Sequence, residues 1–258
     1  MAMAGTPAPS CGAVSHDLHR LRRGALNPFF SKRSVYQMEW IVQDKIEQLS
    51  RRFEAAIETR EVIRLDVAYM ALTMDVITHY AFGKSYNHLA EDDFNLAWKE
   101  TVVGGSANGA FLRQFPWLFP IMKLVPLSLL RVLKPQAALL VAWQHLMRRQ
   151  VESIIQASRE GKKAENTIFQ ELLDSDLPED EKTADRLQDE AQTVIGGGSE
   201  TTAKEHLLQD NKKLRLREEL RSVKPSSTCQ YSLKELEQLS YLVSCVPFYP
   251  QAHAEADS

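Results

Sequence analysis

Apolar residues recur at intervals of three and four along most of the chain, the spacing that places them on one face of an α-helix. In Tyr36–Glu58 this spacing predicts an amphipathic helix, with apolar side chains at Met38, Ile41, Val42, Ile46, Leu49, Phe53 and Ile57. Comparable patterns predict helices at Glu91–Val103, Pro135–Ala157, Ile168–Leu173, Asp185–Thr202, Lys212–Val223 and Leu233–Leu242. No segment alternates convincingly between apolar and polar residues, so the pattern predicts one mostly α domain.

The segment Arg64–Phe82 differs from the others because it is apolar on nearly all sides. A helix of this kind is usually buried on most of its faces. Gly83 follows it and predicts a C-terminal stop. Further on, the charged connector Leu177–Lys182 is predicted to lie in solvent.

The composition is that of an ordinary globular protein, with 44% hydrophobic and 25% charged residues among 258. A net charge of −3 does not favour nucleic acid as a partner of the whole chain. Three widely spaced cysteines without a signal peptide indicate a reducing compartment. Residues 1–15 lack a basic and apolar signal and are predicted to form a disordered leader. The apolar stretch Phe111–Leu133 is interrupted by charges and prolines, which predicts a helix pair or an apolar surface loop.

A basic motif lies near the start of the chain. Between His19 and Arg33 there are five lysine or arginine residues and no acid. His19 and Arg23 are four residues apart, so on a helix they share a face and suit a bound carboxylate or phosphate. The alternatives are a solvated basic face or a nucleic-acid patch, although nothing else in the chain is basic.

Three consecutive glycines, Gly196–Gly198, interrupt the helical pattern of residues 185–202. Each disfavours a helix by roughly 1 kcal/mol relative to alanine. They indicate either space for a flat ligand or a local distortion that frees a carbonyl group. Glu200 and Thr201, beside them, suit proton relay. The alternative is a flexible loop capped by Ser199 or Thr201.

These motifs together resemble those of a known family. Residues Gly197–Thr202 match at every position the Ala/Gly-Gly-x-Asp/Glu-Thr-Thr/Ser pattern in the oxygen-binding helix of cytochromes P-450. His19–Arg23 is similar to the family's W-x-x-x-R motif, in the H-x-x-x-R variant common in fungal members. Asp75–Gly83 is similar to the family's helix after that motif, and the order and spacing agree. The chain therefore resembles a haem-thiolate monooxygenase of the fungal secondary-metabolism type, truncated at both ends.

The resemblance implies a mainly α fold, a partial cytochrome P-450 fold with helices C to J. The N-terminal sheet region and the C-terminal haem-cysteine loop are expected to be lacking. We expect a leader at residues 1–15, a partial cytochrome P-450 domain at 16–242 and an unrelated tail at 243–258. The abrupt polar sequence Lys204-Glu205-His206 interrupts the expected apolar continuation of the glycine-rich helix.

The resemblance also implies a haem site. His19 and Arg23 would contact the haem propionates, Gly197 and Gly198 would lie over the porphyrin, and Glu200 with Thr201 would deliver protons. The activity implied is insertion of one oxygen atom from O2 into a small apolar molecule, with electrons from a flavoprotein reductase. The endoplasmic reticulum membrane is the implied location, with peripheral contact through Phe111–Leu133. The chain as written has no anchor, which predicts a cytoplasmic location, and no nucleic-acid partner is expected.

The metal ligand is where this sequence departs from the family. The family's cysteine lies in F-x-x-G-x-R-x-C-x-G, whereas no glycine follows Gly198 here, and neither Cys11, Cys229 nor Cys245 has that context. We therefore expect no cysteine metal ligand and a chain that is inactive as written. Glu218–Arg221 has the letters of the family's E-x-x-R motif but comes too early, which indicates an ordinary solvated pair. The alternative function is a non-enzymatic helical protein that binds a partner or a small apolar ligand.

Overall fold

A computed structural model describes residues 15–103, 114, 124–162, 167–205, 210–222 and 231–245; for 136, 200–205, 210–213 and 244–245 it describes the backbone alone. No strand occurs in these ranges, which confirms the mainly α fold. The helices are α1 His16–Leu26, α2 Lys32–Gln37, α3 Glu39–Thr59, α4 Leu65–Phe82, α5 Leu127–Leu133, α6 Pro135–Arg159, α7 Ile168–Asp174, α8 Ala184–Glu205, α9 Asp210–Ser222, α10 Leu233–Leu236 and α11 Ser240–Cys245. Residues 96–103 are also helical.

Contacts divide the chain into two compact units, Met1–His206 and Leu207–Ser258. The predicted leader 1–15 lies outside the described residues except for Ser15, and the predicted tail 243–258 is described only to residue 245. Of the stretch Phe111–Leu133, residue 114 and residues 124–133 are described. The predicted domain bounds therefore stay predictions.

The core of the first unit lies between α4 and α8, with α6 and α7 packed against this pair. Eleven of the eighteen residues of α4 are buried, which confirms the prediction that this helix is covered on most sides. Its apolar side chains meet those of the neighbouring helices, including Met147, Phe169 and Ile195. A helix that is apolar all round can be stable only in such surroundings, because each exposed apolar side chain would forgo its burial free energy.

Helix ends follow local signals in the sequence. Gly83 takes φ of 72° and its amide donates to the carbonyl of His79 at 2.7 Å, which confirms the predicted stop of α4. A positive φ of this size favours glycine because it lacks a Cβ. The predicted helix from Tyr36 to Glu58 is interrupted at Met38, which separates α2 from α3.

The helix predicted at Glu91–Val103 begins later than the pattern indicated, at residue 96. The guanidinium of Arg52 donates to the carbonyls of Leu89, Glu91 and Asp92 at 2.8–2.9 Å. Asn95, at φ of 59°, instead starts the helix by accepting from the amide of Trp98 at 3.1 Å. The predicted start was wrong because Arg52 of α3 binds two carbonyls, those of Glu91 and Asp92, that the first turn of the predicted helix would use.

Four buried charged residues join α1 to the start of α8. Arg22 donates twice to Glu181, at 2.7 and 2.8 Å, and Arg186 donates to the same carboxylate at 3.0 Å. Arg186 also pairs with Glu190 at 2.6 Å. Two arginines and two glutamates leave this network without net charge, which offsets the cost of burying each ion.

This network corrects the prediction that the connector Leu177–Lys182 lies in solvent. Glu181 is buried, and Leu177 is buried as well, whereas residues 178–180 are exposed. The sequence shows only a run of charges there. The buried position of Glu181 follows from Arg22, which lies 159 residues earlier.

In the second unit, Glu219 caps α11. Its carboxylate accepts from the amides of Tyr241 and Leu242 at 2.8 and 2.9 Å, which lowers the pKa of Glu219 against the opposing effect of desolvation. Glu218 and Arg221 are both exposed on α9, as expected for solvated residues. The described residues show no ion pair between these two, so only the solvated part of that interpretation is confirmed.

We predict that Arg22→Met lowers the free energy of unfolding by about 3–5 kcal/mol, because it leaves a buried excess of negative charge. Chemical denaturation of the full chain measures this. Arg51→Met is the matched control, since Arg51 forms an exposed pair with Glu47 at 3.7 Å and should cost less than about 1 kcal/mol. Equal costs for the two variants would contradict the role of the buried network.

The same network predicts a pH dependence. The hydrogen bonds from Arg22 are the main reason that the pKa of Glu181 lies below its ordinary value. Such a carboxylate stabilises the fold above its unfolded pKa of about 4.3, and this contribution is lost as the pH falls through the lower folded value. The difference in unfolding free energy between wild type and Arg22→Met should therefore narrow below about pH 4. A constant difference in denaturation series at descending pH would contradict it.

Candidate functional site

The glycine-rich segment is part of a continuous helix. Helix α8 runs from Ala184 to Glu205 and includes Gly196–Gly198 without a break. The alternative of a flexible loop was therefore wrong. Ile195 and Ser199, on either side of the glycines, are fully buried, so tertiary contacts offset the low helix propensity of this turn.

The two glycines predicted to lie over a porphyrin have different surroundings. A Cβ on Gly198 would lie 2.9 Å from Cγ1 of Ile77, closer than Cβ atoms approach other side chains, and 3.3 Å from its Cβ, which is also tight. Gly198 thus permits the close contact of α8 with α4. A Cβ on Gly197 would meet no described atom within 4 Å, so of these two glycines it is Gly197 that has an open side among the described residues.

Glu200 and Thr201 follow directly on α8, where their backbone is helical. Their side chains lie outside the described part of the structure. Their assignment to proton delivery stays a prediction from the motif. The contact between Gly198 and Ile77 nevertheless fixes the backbone of the turn from which both side chains project.

His19 and Arg23 lie on α1, as the basic motif predicted. His19 is half-buried and Arg23 is exposed. Within the described residues, neither side chain has a hydrogen bond or ion pair with the protein. Since α1 turns about 100° per residue, the neighbouring Arg22 points elsewhere and reaches Glu181. The sequence did not predict that Arg22 is buried and Arg23 exposed, because nothing near these two arginines in the chain distinguishes them. The difference comes from Glu181, which is distant in sequence.

The described residues hold no group of histidine, cysteine or acidic side chains that could bind a metal ion. Cys11 and Cys229 lie outside the described residues, and only the backbone of Cys245 is described. The lack of a cysteine ligand therefore stays a prediction from the sequence. None of the helices in the described ranges is long and apolar enough to span a bilayer.

Comparison with known proteins agrees with these observations. The family model described as Cytochrome P450 matches residues 11–247. A cytochrome P450 monooxygenase of Ascocoryne sarcoides is 37% identical over 92% of this chain and 50% of its own length. A tryptophan 6-hydroxylase of Fusarium equiseti is 36% identical over 95% of this chain and 50% of its own length. A cytochrome P450 monooxygenase of Penicillium crustosum is 38% identical over 93% of this chain and 57% of its own length.

The chain belongs to the cytochrome P450 family, whose cofactor is haem. The fungal secondary-metabolism branch indicated by the sequence is confirmed by these relatives. The chain spans about half the length of the curated relatives it matches. Its described residues fit part of a haem site, because α1 offers two donors on one face and Gly197 leaves one face of α8 open.

We predict that Gly198→Ala destabilises the chain by about 1–3 kcal/mol, because the added methyl group overlaps Ile77. Thermal or chemical unfolding measures the loss. Gly197→Ala is the matched control, since its methyl group meets no described atom, and it should stabilise the helix by up to about 1 kcal/mol.

Ile77→Ala in the Gly198→Ala background tests the cause, since it removes Cγ1, the atom in closest contact. Ile77→Ala should then cost less in the Gly198→Ala background than in the wild-type chain, so that the double variant loses less stability than the sum of the two single variants. Additive effects would show that the loss at Gly198 has another origin.

Proposed function

We propose that this chain contributes to a haem-dependent monooxygenase, which inserts one oxygen atom from O2 into a small apolar molecule. The observation that supports it best is the glycine-rich turn of α8, which stays helical with Gly197 open and carries Glu200 and Thr201 next to it. Membership of the cytochrome P450 family supplies the reaction class. A flavoprotein reductase as electron donor, and a membrane contact through Phe111–Leu133, belong to the same proposal.

The residues of this chain have separate tasks in the proposed site. When bound, haem supplies the redox chemistry. His19 and Arg23 would hold its propionates, since a guanidinium binds a carboxylate with two parallel hydrogen bonds. Gly197 leaves room for a flat ring against the helix. Glu200 and Thr201 would hold and move a proton.

We propose further that these 258 residues by themselves do not provide a thiolate ligand and are inactive as written. The support is the sequence context of the three cysteines, none of which lies in F-x-x-G-x-R-x-C-x-G. A thiolate ligand favours cleavage of the O–O bond, so without it the reaction cannot run in the family's manner. The chain would then bind haem weakly, through its propionates and one face of its ring.

Titration of the purified chain with haem, monitored by the absorbance of the added haem, tests whether the chain binds haem through its propionates. We predict that Arg23→Leu raises the Kd for haem about tenfold or more, the value of one hydrogen bond to a charged group. Arg33→Leu is the matched control, since Arg33 is an exposed residue of the same basic motif on α2, and it should leave the Kd unchanged.

Equal weakening by both substitutions would show attraction by charge alone and would contradict a specific propionate site. The reduced carbonyl complex of the same samples reports on the ligand. We expect no absorbance band of the thiolate type, and its appearance would refute inactivity. A folded chain that binds no haem would favour the helical binding-protein alternative.

A further inference from the structure

We propose that Thr73 and Ile77 of α4 are positioning residues, which together hold the backbone of the glycine-rich turn of α8. We call the contacts of these two side chains with Gly198 and Ser199 the α4 clamp. The functional role of these contacts rests on the proposed function, because the turn carries Glu200 and Thr201. Its geometry is independent of that function.

The first contact of the α4 clamp is a hydrogen bond between helices. The hydroxyl of Thr73 donates to the backbone carbonyl of Ser199 at 2.9 Å and is also within 3.1 Å of the carbonyl of Met70 in its own helix. Thr73 is buried and Ser199 is fully buried, so water does not compete for this bond. A threonine within a helix usually bonds only to its own preceding turn, so the contact with Ser199 is an additional one.

The carbonyl of Ser199 has a particular place in the helix. In a regular α-helix it would accept from the amide four residues later, that of Ala203. Glu200 and Thr201 lie between these two residues. Thr73 supplies this carbonyl with a donor from outside the helix. The bond therefore stabilises one orientation of the peptide groups that carry both side chains.

The second contact lies one turn further along α4. Ile77 is four residues after Thr73, and its Cγ1 and Cβ lie 2.9 and 3.3 Å from the position of a Cβ on Gly198. Thr73 and Ile77 thus touch consecutive residues of α8. The hydrogen bond limits rotation of the turn, and the steric contact limits its distance from α4. Together they determine the position of the turn more closely than apolar burial, which has no direction.

The test is amide hydrogen exchange of the full chain, followed in the peptides that cover residues 196–205. We expect Thr73→Val, which keeps the volume but loses the hydroxyl, to speed exchange there about fivefold to tenfold, the usual effect of one hydrogen bond. Thr73→Ser keeps the hydroxyl and should exchange as wild type does. Thr101→Val is the matched control, because that buried hydroxyl donates at 2.8 Å within its own helix only.

An unchanged rate in Thr73→Val, or a rate equal to that of Thr101→Val, would overturn the proposal. Should the valine variant not fold, Ile77→Ala tests the second contact, since it opens the space over Gly198 and should speed exchange in the same peptides. An unchanged rate there would also count against the α4 clamp.

Titration of the same proteins with haem separates this proposal from the proposed function. One outcome is that neither the wild type nor any variant binds haem, while Thr73→Val speeds exchange in the turn. The proposed function then fails and the α4 clamp stands. If haem binds and exchange does not respond to Thr73→Val, the α4 clamp fails and the proposed function stands.

Discussion

The close approach of α4 to α8 is the constraint on which the first unit depends. At Gly198 the two helices are so near that a side chain larger than hydrogen would overlap Ile77. This distance allows the apolar surface of α4 to be covered, and α6 and α7 complete the cover. It also keeps a glycine-rich turn helical where its own propensity would not. A core contact and the candidate site are thus formed by the same residues.

Helix α1 divides its basic side chains between folding and binding. Arg22 is buried and satisfied by Glu181, which ties the helix to the start of α8. Arg23, the next residue, stays exposed, and His19 shares its face of the helix. A buried charge is retained only with a partner, whereas an exposed one remains available to an anion. Helix α1 is therefore anchored to the rest of the first unit by Arg22, which leaves His19 and Arg23 available to bind the propionates in the proposed site.

The residues proposed to bind haem lie on two separate helices of the first unit. They are the donor pair on α1 and Gly197 at the open face of α8. These are the parts of the family's site that ordered motifs encode, and the chain covers about half the length of its curated relatives. This explains why motif, fold and relatives agree on the family.

By itself the sequence determined the helical class, the buried character of α4, its end at Gly83 and the family, because spacing, composition and short motifs are local properties. The sequence did not show that Arg22 is buried while Arg23 is exposed, or that Glu181 lies inside the protein. It also did not show that the helix after Glu91 begins only at residue 96. Nor did it decide between helix and loop at Gly196–Gly198. Only the tertiary structure decided these points, since each depends on a partner far away in the chain: Glu181 for Arg22, Arg52 for the loop before residue 96, and Ile77 for Gly198.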